Sequence, residues 1–292
     1  MNSQVIGIGA ALISAAAWAV GAILYKKFGE NVSSVGMNLA KGAINLFLLA
    51  VTVLILGQEH VDLDSFLLLG VSGLLGISLG DTFFFEALQK LGPHVLVVLS
   101  LLGQVLTVLF AVFFLGERLS TNMWVGVLMV ISGVAVVVYT RISDTTKKNS
   151  IGGIFYGLMA VLCMSVSVII AKKGLASVSA VQATFIRMLW GTFGLLLWGL
   201  ATRQLREWVA PFREIKLMKD FFLLVCLVSF GGFWLFHVAV KYTEVSVANT
   251  LSATEPLFVI PLAALFLNEK ITWSAVTGTV VSVGGIILLC VG

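Results

Sequence analysis

Long apolar runs separated by short polar stretches make up most of the chain. A helix needs about 20 apolar residues to cross a lipid bilayer, and ten runs approach or reach that length. They are approximately residues 5–25, 36–56, 66–88, 95–115, 122–139, 151–171, 181–201, 220–240, 247–267 and 273–291. Because most connecting stretches are short, neighbouring helices are expected to be antiparallel. The pattern predicts an all-α polytopic membrane protein with ten transmembrane helices.

The second half of the chain repeats the first half. Residues 95–119, which end in Gly-Glu-Arg-Leu, match residues 247–271, which end in Asn-Glu-Lys-Ile, at a shift of 152 positions. Earlier helices match at shifts of 146 and 151 positions. A period this long indicates that a whole unit was duplicated. We therefore expect a first five-helix repeat in residues 1–140, a polar linker in residues 141–150 and a second five-helix repeat in residues 151–292.

The odd number of helices in each repeat decides how the two repeats are oriented. After five crossings, the second repeat starts from the opposite side of the membrane, so it must be inserted upside down. Inverted repeats of this kind are common in secondary transporters, which bind their solute near the middle of the bilayer where the repeats meet. The prediction of two inverted five-helix repeats depends on the count of ten helices.

Composition and missing motifs exclude several classes of protein. The chain is only 11% charged, whereas a soluble domain is typically about 25% charged. It has no basic face suited to nucleic acid, and Cys163, Cys226 and Cys290 lie in apolar runs without a metal-binding spacing. It also lacks a Walker motif. We therefore expect no cofactor, no metal and no nucleic-acid partner, and a gradient must supply the energy for any transport.

Several motifs resemble a known transporter family. In the first half, AAAWAVGAILYKK lies in the first helix, and GERLS is followed by WVGVLMVISGVAVVV. In the second half, Thr254-Glu255-Pro256 lies in the ninth predicted helix, and NEKIT is followed by a glycine-spaced last helix. In this order the motifs resemble the EamA-type transporters of the drug/metabolite transporter superfamily over nearly the whole chain. The resemblance implies ten helices in two inverted halves and transport of small metabolites across the cytoplasmic membrane, often as efflux.

Glu255 is an acidic residue near the middle of a predicted helix that also contains proline. Pro256 follows it directly, Ser252 lies three residues before it on the same face, and Asn249 continues that face. Proline frees a backbone carbonyl, which is tolerated within the membrane where the backbone lines a cavity. Three roles remain open for the Glu255 carboxyl group: helix packing, binding of the cationic part of a solute, and transfer of a coupling proton.

Lys41 and Arg187 occupy equivalent positions in the two halves. Asn38 and Asn45 share the face of Lys41, at i−3 and i+4, which makes a polar stripe in an apolar helix. Lys41 lies about five residues, or roughly 7.5 Å, from the helix end, so its ammonium group could reach the lipid headgroups. Alternatively, these cations meet an anionic group of a solute or an acidic side chain such as Asp81.

The acidic positions are not matched between the halves. Asp81 lies deep in the third predicted helix and has no basic residue at i±4, and its counterpart in the second half is Gly232. Glu255 corresponds to Gly103, which is followed by Gln104. We therefore expect an asymmetric site in which Asp81, Glu255 and Gln104 face the solute path.

Three further residues are weaker candidates for the site. His237 could form a pair or titrate, or it could simply pack near a helix end. Trp18 and Trp234 lie well inside their helices and could line a pocket. Most tryptophans of membrane proteins serve instead as interface anchors or core residues.

Basic residues are unevenly distributed between the two sides of the membrane. Loops after the odd-numbered helices hold twelve Lys and Arg residues, and loops on the other side hold four. The twelve are Lys26, Lys27, Lys90, Arg141, Lys147, Lys148, Arg203, Arg206, Arg213, Lys216, Lys219 and Lys270. Since cytoplasmic loops are enriched in basic residues, the count places both chain termini outside the cytoplasm, whereas the family resemblance favours termini inside.

The leading interpretation is a multi-pass secondary transporter or exporter of small metabolites, such as amino acids or related solutes, in the cytoplasmic membrane. Its partners would be a small-molecule solute and membrane lipid, and whether protons are also partners is left open. The protein would be a monomer or a homodimer. An integral-membrane enzyme acting on a lipid-linked substrate is the alternative. That enzyme would need acidic, His or Ser side chains clustered at one membrane face, and the sequence shows no such cluster.

Overall fold

The computed structural model of the chain describes residues 3–57, 60–115, 120–143, 150–174, 178–242 and 251–291. Every regular element in these residues is helical. The main helices are α1 (Ser3–Phe28), α2 (Ser34–Leu56), α3 (Leu63–Leu91), α4 (Pro93–Leu115), α5 (Thr121–Ser143), α6 (Ser150–Gly174), α7 (Ala180–Ala201), α8 (residues 215–242), α9 (Glu255–Leu267) and α10 (Trp273–Val291). A short helix (Leu205–Val209) and a 3-10 turn (Ala210–Arg213) precede α8. The predicted all-α class is confirmed for the described residues.

Among the described residues, six helices are long and apolar enough to cross a membrane. These are α1, α2, α3, α5, α6 and α7, and shorter apolar segments lie in α4, α9 and α10. Large apolar side chains point outward from them, such as Leu54 on α2 (72% exposed) and Leu128 on α5 (65% exposed). Exposed apolar surface on this scale suits a lipid environment. The chain is therefore a multi-pass membrane protein, while the number of ten crossings stays a prediction.

Polar side chains set the start of several helices. Ser33, Asp62 and Ser179 each accept a hydrogen bond from the backbone N–H three residues further on, at the starts of α2, α3 and α7. These caps satisfy N–H groups that have no partner within the helix. Gly57 and Gly92 follow α2 and α3 with φ angles of 93° and 85°, which favour glycine. The local sequence thus determines where these helices begin and end.

Two helices contain a π-helical segment at equivalent positions in the two halves. The segments are Leu74–Gly80 in α3 and Val225–Phe230 in α8, which correspond at the shift of 151 positions. At the end of the first segment, the N–H of Asp81 donates to the carbonyl of Gly76, five residues earlier. Short π segments inside α-helices occur frequently at functional sites. Both segments contribute residues to a cavity between the helices, Ile77 from the first segment and Ser229 and Phe230 from the second.

Hydrogen bonds from side chains hold both π segments against neighbouring helices. Asn38 Nδ2 on α2 donates to the carbonyl of Ile77 at 2.7 Å. In the second half, the hydroxyl groups of Ser229 on α8 and Tyr25 on α1 are 2.7 Å apart. Because π geometry disturbs the regular backbone hydrogen bonding, such side-chain partners stabilise the segments in place.

Glycines bring α5 and α10 into close contact. A methyl group at Gly278 would lie 2.7 Å from the carbonyl oxygen of Gly133, and one at Gly285 would lie 2.7 Å from that of Gly126. The absence of side chains permits this approach. Since the contacting residue numbers rise along α10 as they fall along α5, the two helices are antiparallel.

The connection between α7 and α8 packs back onto the bundle. Phe212 and Phe221 have ring centroids 5.0 Å apart, and Phe221 lies 5.9 Å from the ring of Tyr25 on α1. Trp208 is 5% exposed and packs against Trp198 at the end of α7. These aromatic anchors fix the segment that has no equivalent of this length in the first half.

The start of α9 corrects the sequence-based prediction of one helix over residues 247–267. Leu251 and Ser252 are helical, residues 253–254 form a turn, and α9 begins at Glu255. The cause is Pro256, because a proline ring clashes with the carbonyl four residues before it but is tolerated in the first turn of a helix. Glu255 therefore lies at the amino-terminal end of a helix, not near its middle. Residues 243–250 lie outside the described residues.

Candidate functional site

A cavity of about 540 Å³ lies between the two halves of the chain. Helices α1, α2, α3 and α4 of the first half line it together with α6, α7, α8 and α9 of the second half. Its wall is largely apolar and aromatic, with Trp18, Phe84, Phe85 and Phe230 among the lining residues. Small-molecule sites commonly have this size and a few polar groups in an apolar wall. The cavity is thus large enough to hold a small metabolite.

The cavity brings together most of the site residues predicted from the sequence. Those that line it are Trp18, Lys41, Asn45, Asp81, Gln104, Arg187, Ser252 and Glu255. Asn249 lies outside the described residues, as do the side chains of Trp234 and His237. The participation of these three residues in the site stays a prediction.

Asn38 is completely buried and does not line the cavity. Its side-chain amide turns toward α3, where it donates to the carbonyl of Ile77 and, at 2.9 Å, to the hydroxyl of Thr82. Position on the Lys41 face of α2 therefore does not bring Asn38 to the cavity, because α3 covers that part of the face. The contacts indicate that Asn38 orders the π segment of α3.

Lys41 and Asp81 form an ion pair at the cavity wall. Their side chains are 13% and 20% exposed, so the ammonium group of Lys41 is turned inward and does not extend toward lipid headgroups. The same ammonium group lies 5.2 Å from the ring centroid of Phe85, within the range of a cation–π contact. An ion pair this well shielded is much less screened than one at a water-exposed surface. It links α2 to α3 inside the first half.

Arg187 lies at the equivalent position of α7 but has different contacts. Its Nη2 donates to the hydroxyl of Ser167 on α6 at 3.1 Å. Its Nε is buried and has no hydrogen-bond partner among the described residues. The charge of Asp81 also acts on the guanidinium group, although no carboxylate of the described residues lies within 4.0 Å of it. Arg187 is therefore a cation at the cavity wall that the described residues do not pair directly.

Glu255 reaches the cavity from the first turn of α9. The amino-terminal end of a helix carries partial positive charge, which favours a carboxylate there, whereas burial opposes the charged form. Within the described residues, Glu255 has no basic side chain closer than 4.0 Å. The neighbouring Ser252 hydroxyl is buried and has no partner among those residues either. The Glu255 carboxyl group, which has no ion-pair partner among the described residues, is therefore the polar group of α9 that could meet a solute or a proton.

Tyr25 and Ser229 line the cavity but were missed by reasoning from the sequence. Ser229 corresponds to Ser78 at the shift of 151 positions, which was a usable signal. Tyr25 directly precedes Lys26 and Lys27, so the sequence pattern indicated a helix end at the membrane surface. Only the packing of α1 against α8 shows that the Tyr25 side chain turns into the bundle, where it is 4% exposed.

The described residues contain no group of three His, Cys, Asp or Glu side chains that could hold a metal ion. The charged groups of the cavity come from different helices: an ion pair joins Lys41 to Asp81, and a hydroxyl group accepts from Arg187. This arrangement is suited to reversible binding of a solute that carries polar groups and an apolar part.

Comparison with known proteins agrees with this architecture. The model of the EamA-like transporter family matches the chain twice, over residues 5–139 and 151–291. An uncharacterized transporter of Archaeoglobus fulgidus is 24% identical over 279 residues, which cover 95% of each chain. The uncharacterized transporter YvbV of Bacillus subtilis is 26% identical over 227 residues, which are 75% of this chain and 70% of that protein.

A solved crystal structure shares the fold of this chain. The two superpose with a TM-score of 0.60 at 17% sequence identity, and the match covers 98% of this chain and 95% of the other. At this identity the likeness concerns the fold alone. The two family matches, in contrast, cover nearly all of the sequence. The chain is therefore a membrane transporter that belongs to the EamA-like transporter family.

Proposed function

We propose that this protein is a secondary transporter that moves small solutes across the cell membrane by alternating access of two inverted five-helix halves. The observation that carries the proposal is the cavity between the halves, because each half supplies it with one basic and one acidic side chain. These are Lys41 and Asp81 from the first half, and Arg187 and Glu255 from the second. Ionisable side chains are costly inside a membrane and usually mark a solute or ion path.

The contact between α5 and α10 supports the inverted arrangement. Gly126 and Gly278 are equivalent in the two halves, and so are Gly133 and Gly285. In the structure Gly126 meets Gly285 and Gly133 meets Gly278. A reciprocal exchange of this kind is typical of a two-fold axis. Because the two equivalent helices are antiparallel, that axis runs across the helices, as it does between inverted repeats in a membrane.

The two π segments support movement of the halves around the cavity. Both occur at the same place in their repeats, and the residues that follow or end them, Asp81 and Phe230, line the cavity. Irregular helix geometry of this kind often marks functional hinges or binding sites in transporters. We expect the cavity to open toward one side of the membrane and then the other as these helices tilt.

We expect Glu255 to interact with a positively charged species during transport. Two roles remain open: the carboxylate binds the cationic part of a solute, or the carboxyl group carries a coupling proton. The chain contains no ATP-binding motif, so the gradient of the solute or of protons supplies the energy in either case.

Flux through proteoliposomes tests the proposal. Purified protein is reconstituted into proteoliposomes, and the vesicles are loaded with a panel of radiolabelled small metabolites. Efflux from the vesicles is then compared between the wild type and Gln104→Trp. Gln104 lines the cavity and is exposed, so a bulky side chain there should obstruct the path and lower flux at least about tenfold without disturbing the core. Leu128→Trp, on the outer face of α5, is the matched control and should transport normally. Wild-type flux in Gln104→Trp, or chemical conversion of a solute without flux, would contradict transport through the cavity.

A further inference from the structure

We infer that Arg187 is the anion-binding residue of the cavity and that the transported solutes carry a carboxylate group. The inference rests on the proposed function, because it takes the cavity as the solute site. It goes beyond that proposal by assigning one group of the solute and the side chain that holds it.

The charge balance of the cavity singles out Arg187. Among the described lining residues, the basic groups are Lys41 and Arg187, and the acidic groups are Asp81 and Glu255. Lys41 and Asp81 neutralise each other in a direct ion pair. Arg187 interacts electrostatically with Asp81 over a longer distance. No carboxylate in the described part of the chain lies within 4.0 Å of Arg187. Of the two equivalent cations, Arg187 is therefore the one that can accept an anionic partner.

Hydrogen bonds involving serine residues of neighbouring helices hold the Arg187 side chain in a defined position. Nη2 donates to the hydroxyl oxygen of Ser167. Ser167 is fixed in turn by Ser72 on α3, since each serine hydroxyl donates to the other residue's carbonyl at 2.8 Å. Gly76 leaves room for this contact, because a methyl group there would collide with the Ser167 hydroxyl. Three helices thus orient one guanidinium group before any solute binds, which lowers the entropy lost on binding.

The remaining donors of Arg187 suit a carboxylate. Nε is buried, with no partner among the described residues, so a solute in the cavity would contact Arg187 through the parts of the side chain that line the wall. The planar guanidinium fork matches the two oxygens of a carboxylate, whereas an ammonium group lacks this geometry. Because the acidic residues Asp81 and Glu255 line the same cavity, a monoanion fits better at Arg187 than a phosphate dianion, which would bury excess negative charge.

The rest of the solute is expected to be apolar or aromatic. Trp18, Phe84 and Phe230 line the same cavity, together with Met164 and Met188. Aromatic and thioether side chains provide a large adaptable apolar surface. A small carboxylate with an apolar body would place its charge at Arg187 and its body against this wall.

Matched pairs of probes test the inference by equilibrium dialysis with the purified full-length protein. Each pair is a carboxylate and its neutral amide of the same shape: 3-phenylpropanoate with 3-phenylpropanamide, and 4-methylpentanoate with its amide. We expect the wild type to bind each carboxylate about tenfold or more tightly than its amide. Arg187→Gln should abolish that preference, and Arg187→Lys should keep part of it, because charge remains while the fork is lost. Arg206→Gln changes an exposed arginine outside the membrane helices and should leave the preference intact.

Two outcomes overturn the inference: equal binding of carboxylates and amides by the wild type, or a carboxylate preference that persists in Arg187→Gln. Size-exclusion profiles and thermal unfolding show whether each variant is folded. If Arg187→Gln does not fold, Ser167→Ala and Arg187→Lys decide the question, since an unchanged preference in both contradicts a role for the oriented guanidinium group. Flux of the same probes in proteoliposomes is measured separately. Carboxylate binding without flux would refute the proposed function and leave the anion site standing, whereas flux without any preference would refute the anion site alone.

Discussion

Lys41 and Arg187 occupy the same position in the two halves of the molecule but have different electrostatic partners. In the first half the cation and the acid are joined, because Asp81 on α3 pairs directly with Lys41. In the second half the position equivalent to Asp81 is Gly232, and the acid of that half, Glu255, enters the cavity from α9 instead. The helices that match in sequence between the two halves therefore carry different charged groups. The two first-half charges neutralise each other, while Arg187 and Glu255 form no ion pair within the described residues.

The largest expected effect comes from Asp81→Asn, which removes the carboxylate partner of Lys41. Lys41 would then lack a direct ion-pair partner, as Arg187 does among the described residues. Breaking a buried ion pair by removing one partner costs about 3–5 kcal/mol, because the other charge is left buried and unpaired. We expect a strong loss of thermal stability of the purified protein in detergent and loss of flux.

The double variant Lys41→Met with Asp81→Asn is the control for that experiment. It removes both charges, so much of the lost stability should return. Equal stability of the single and the double variant would show that the ion pair does not hold α2 and α3 together.

The next largest effect is expected for Glu255→Gln, which removes the ionisable group of the second half but keeps its size and hydrogen bonding. Flux should fall about tenfold, which corresponds to about 1.4 kcal/mol, while folding is retained. If the carboxyl group carries a proton, the variant should also lose pH dependence and accumulation driven by a pH gradient. If the carboxylate binds a cationic group, affinity should fall and the pH dependence of the remaining flux should persist.

Glu86→Gln is the matched control for Glu255→Gln. Glu86 forms an i,i+4 ion pair with Lys90 near the end of α3 at 3.3 Å, and it does not line the cavity. Pairs of this kind contribute little to stability, so flux and its pH profile should be unchanged. A wild-type pH profile and wild-type flux in Glu255→Gln would remove Glu255 from the mechanism.

A smaller effect on stability is expected for Asn38→Leu. Comparing it with Asn45→Leu distinguishes a residue of α2 that packs against α3 from one that contacts the solute. The substitution removes the hydrogen bonds to Ile77 and Thr82, and we expect a loss of about 1–3 kcal/mol in stability with unchanged solute preference. Asn45→Leu should show the opposite pattern, because Asn45 lines the cavity. Thermal unfolding and competition binding distinguish the two. A changed solute preference in Asn38→Leu would place this residue in the solute path after all.

The smallest effect on transport is expected for a cysteine substitution used in a labelling experiment. Labelling of that cysteine reports how the two halves are oriented in the membrane. Gln204 lies exposed in the connection between α7 and α8. With Cys163, Cys226 and Cys290 replaced by serine, Gln204→Cys should resist an impermeant thiol reagent in intact cells and react after lysis, if the excess of basic residues is cytoplasmic. Labelling of intact cells would reverse this orientation and place the chain termini in the cytoplasm.

The sequence alone was sufficient for the helical class, the membrane location and the family, and it predicts the duplication of a five-helix unit. Each depends on local or regularly repeated information: the length of apolar runs, the shift between matching motifs, and motifs such as GERLS and NEKIT. It also indicated the charged residues of the site, because an ionisable group in a long apolar run is conspicuous and costly. Lys41, Asp81, Arg187 and Glu255 are therefore recognisable as candidates from the order of residues along the chain.

Only the tertiary structure decided which of these residues meet and which do not. Lys41 pairs with Asp81, 40 positions away, and Tyr25 meets Ser229, 204 positions away. Asn38 turns toward α3 although it shares the sequence face of Lys41, and Pro256 ends the preceding turn instead of bending one continuous helix. The physical reason is that periodicity determines the face of a helix on which a residue lies, whereas the packing angles and depths of neighbouring helices determine what that face contacts.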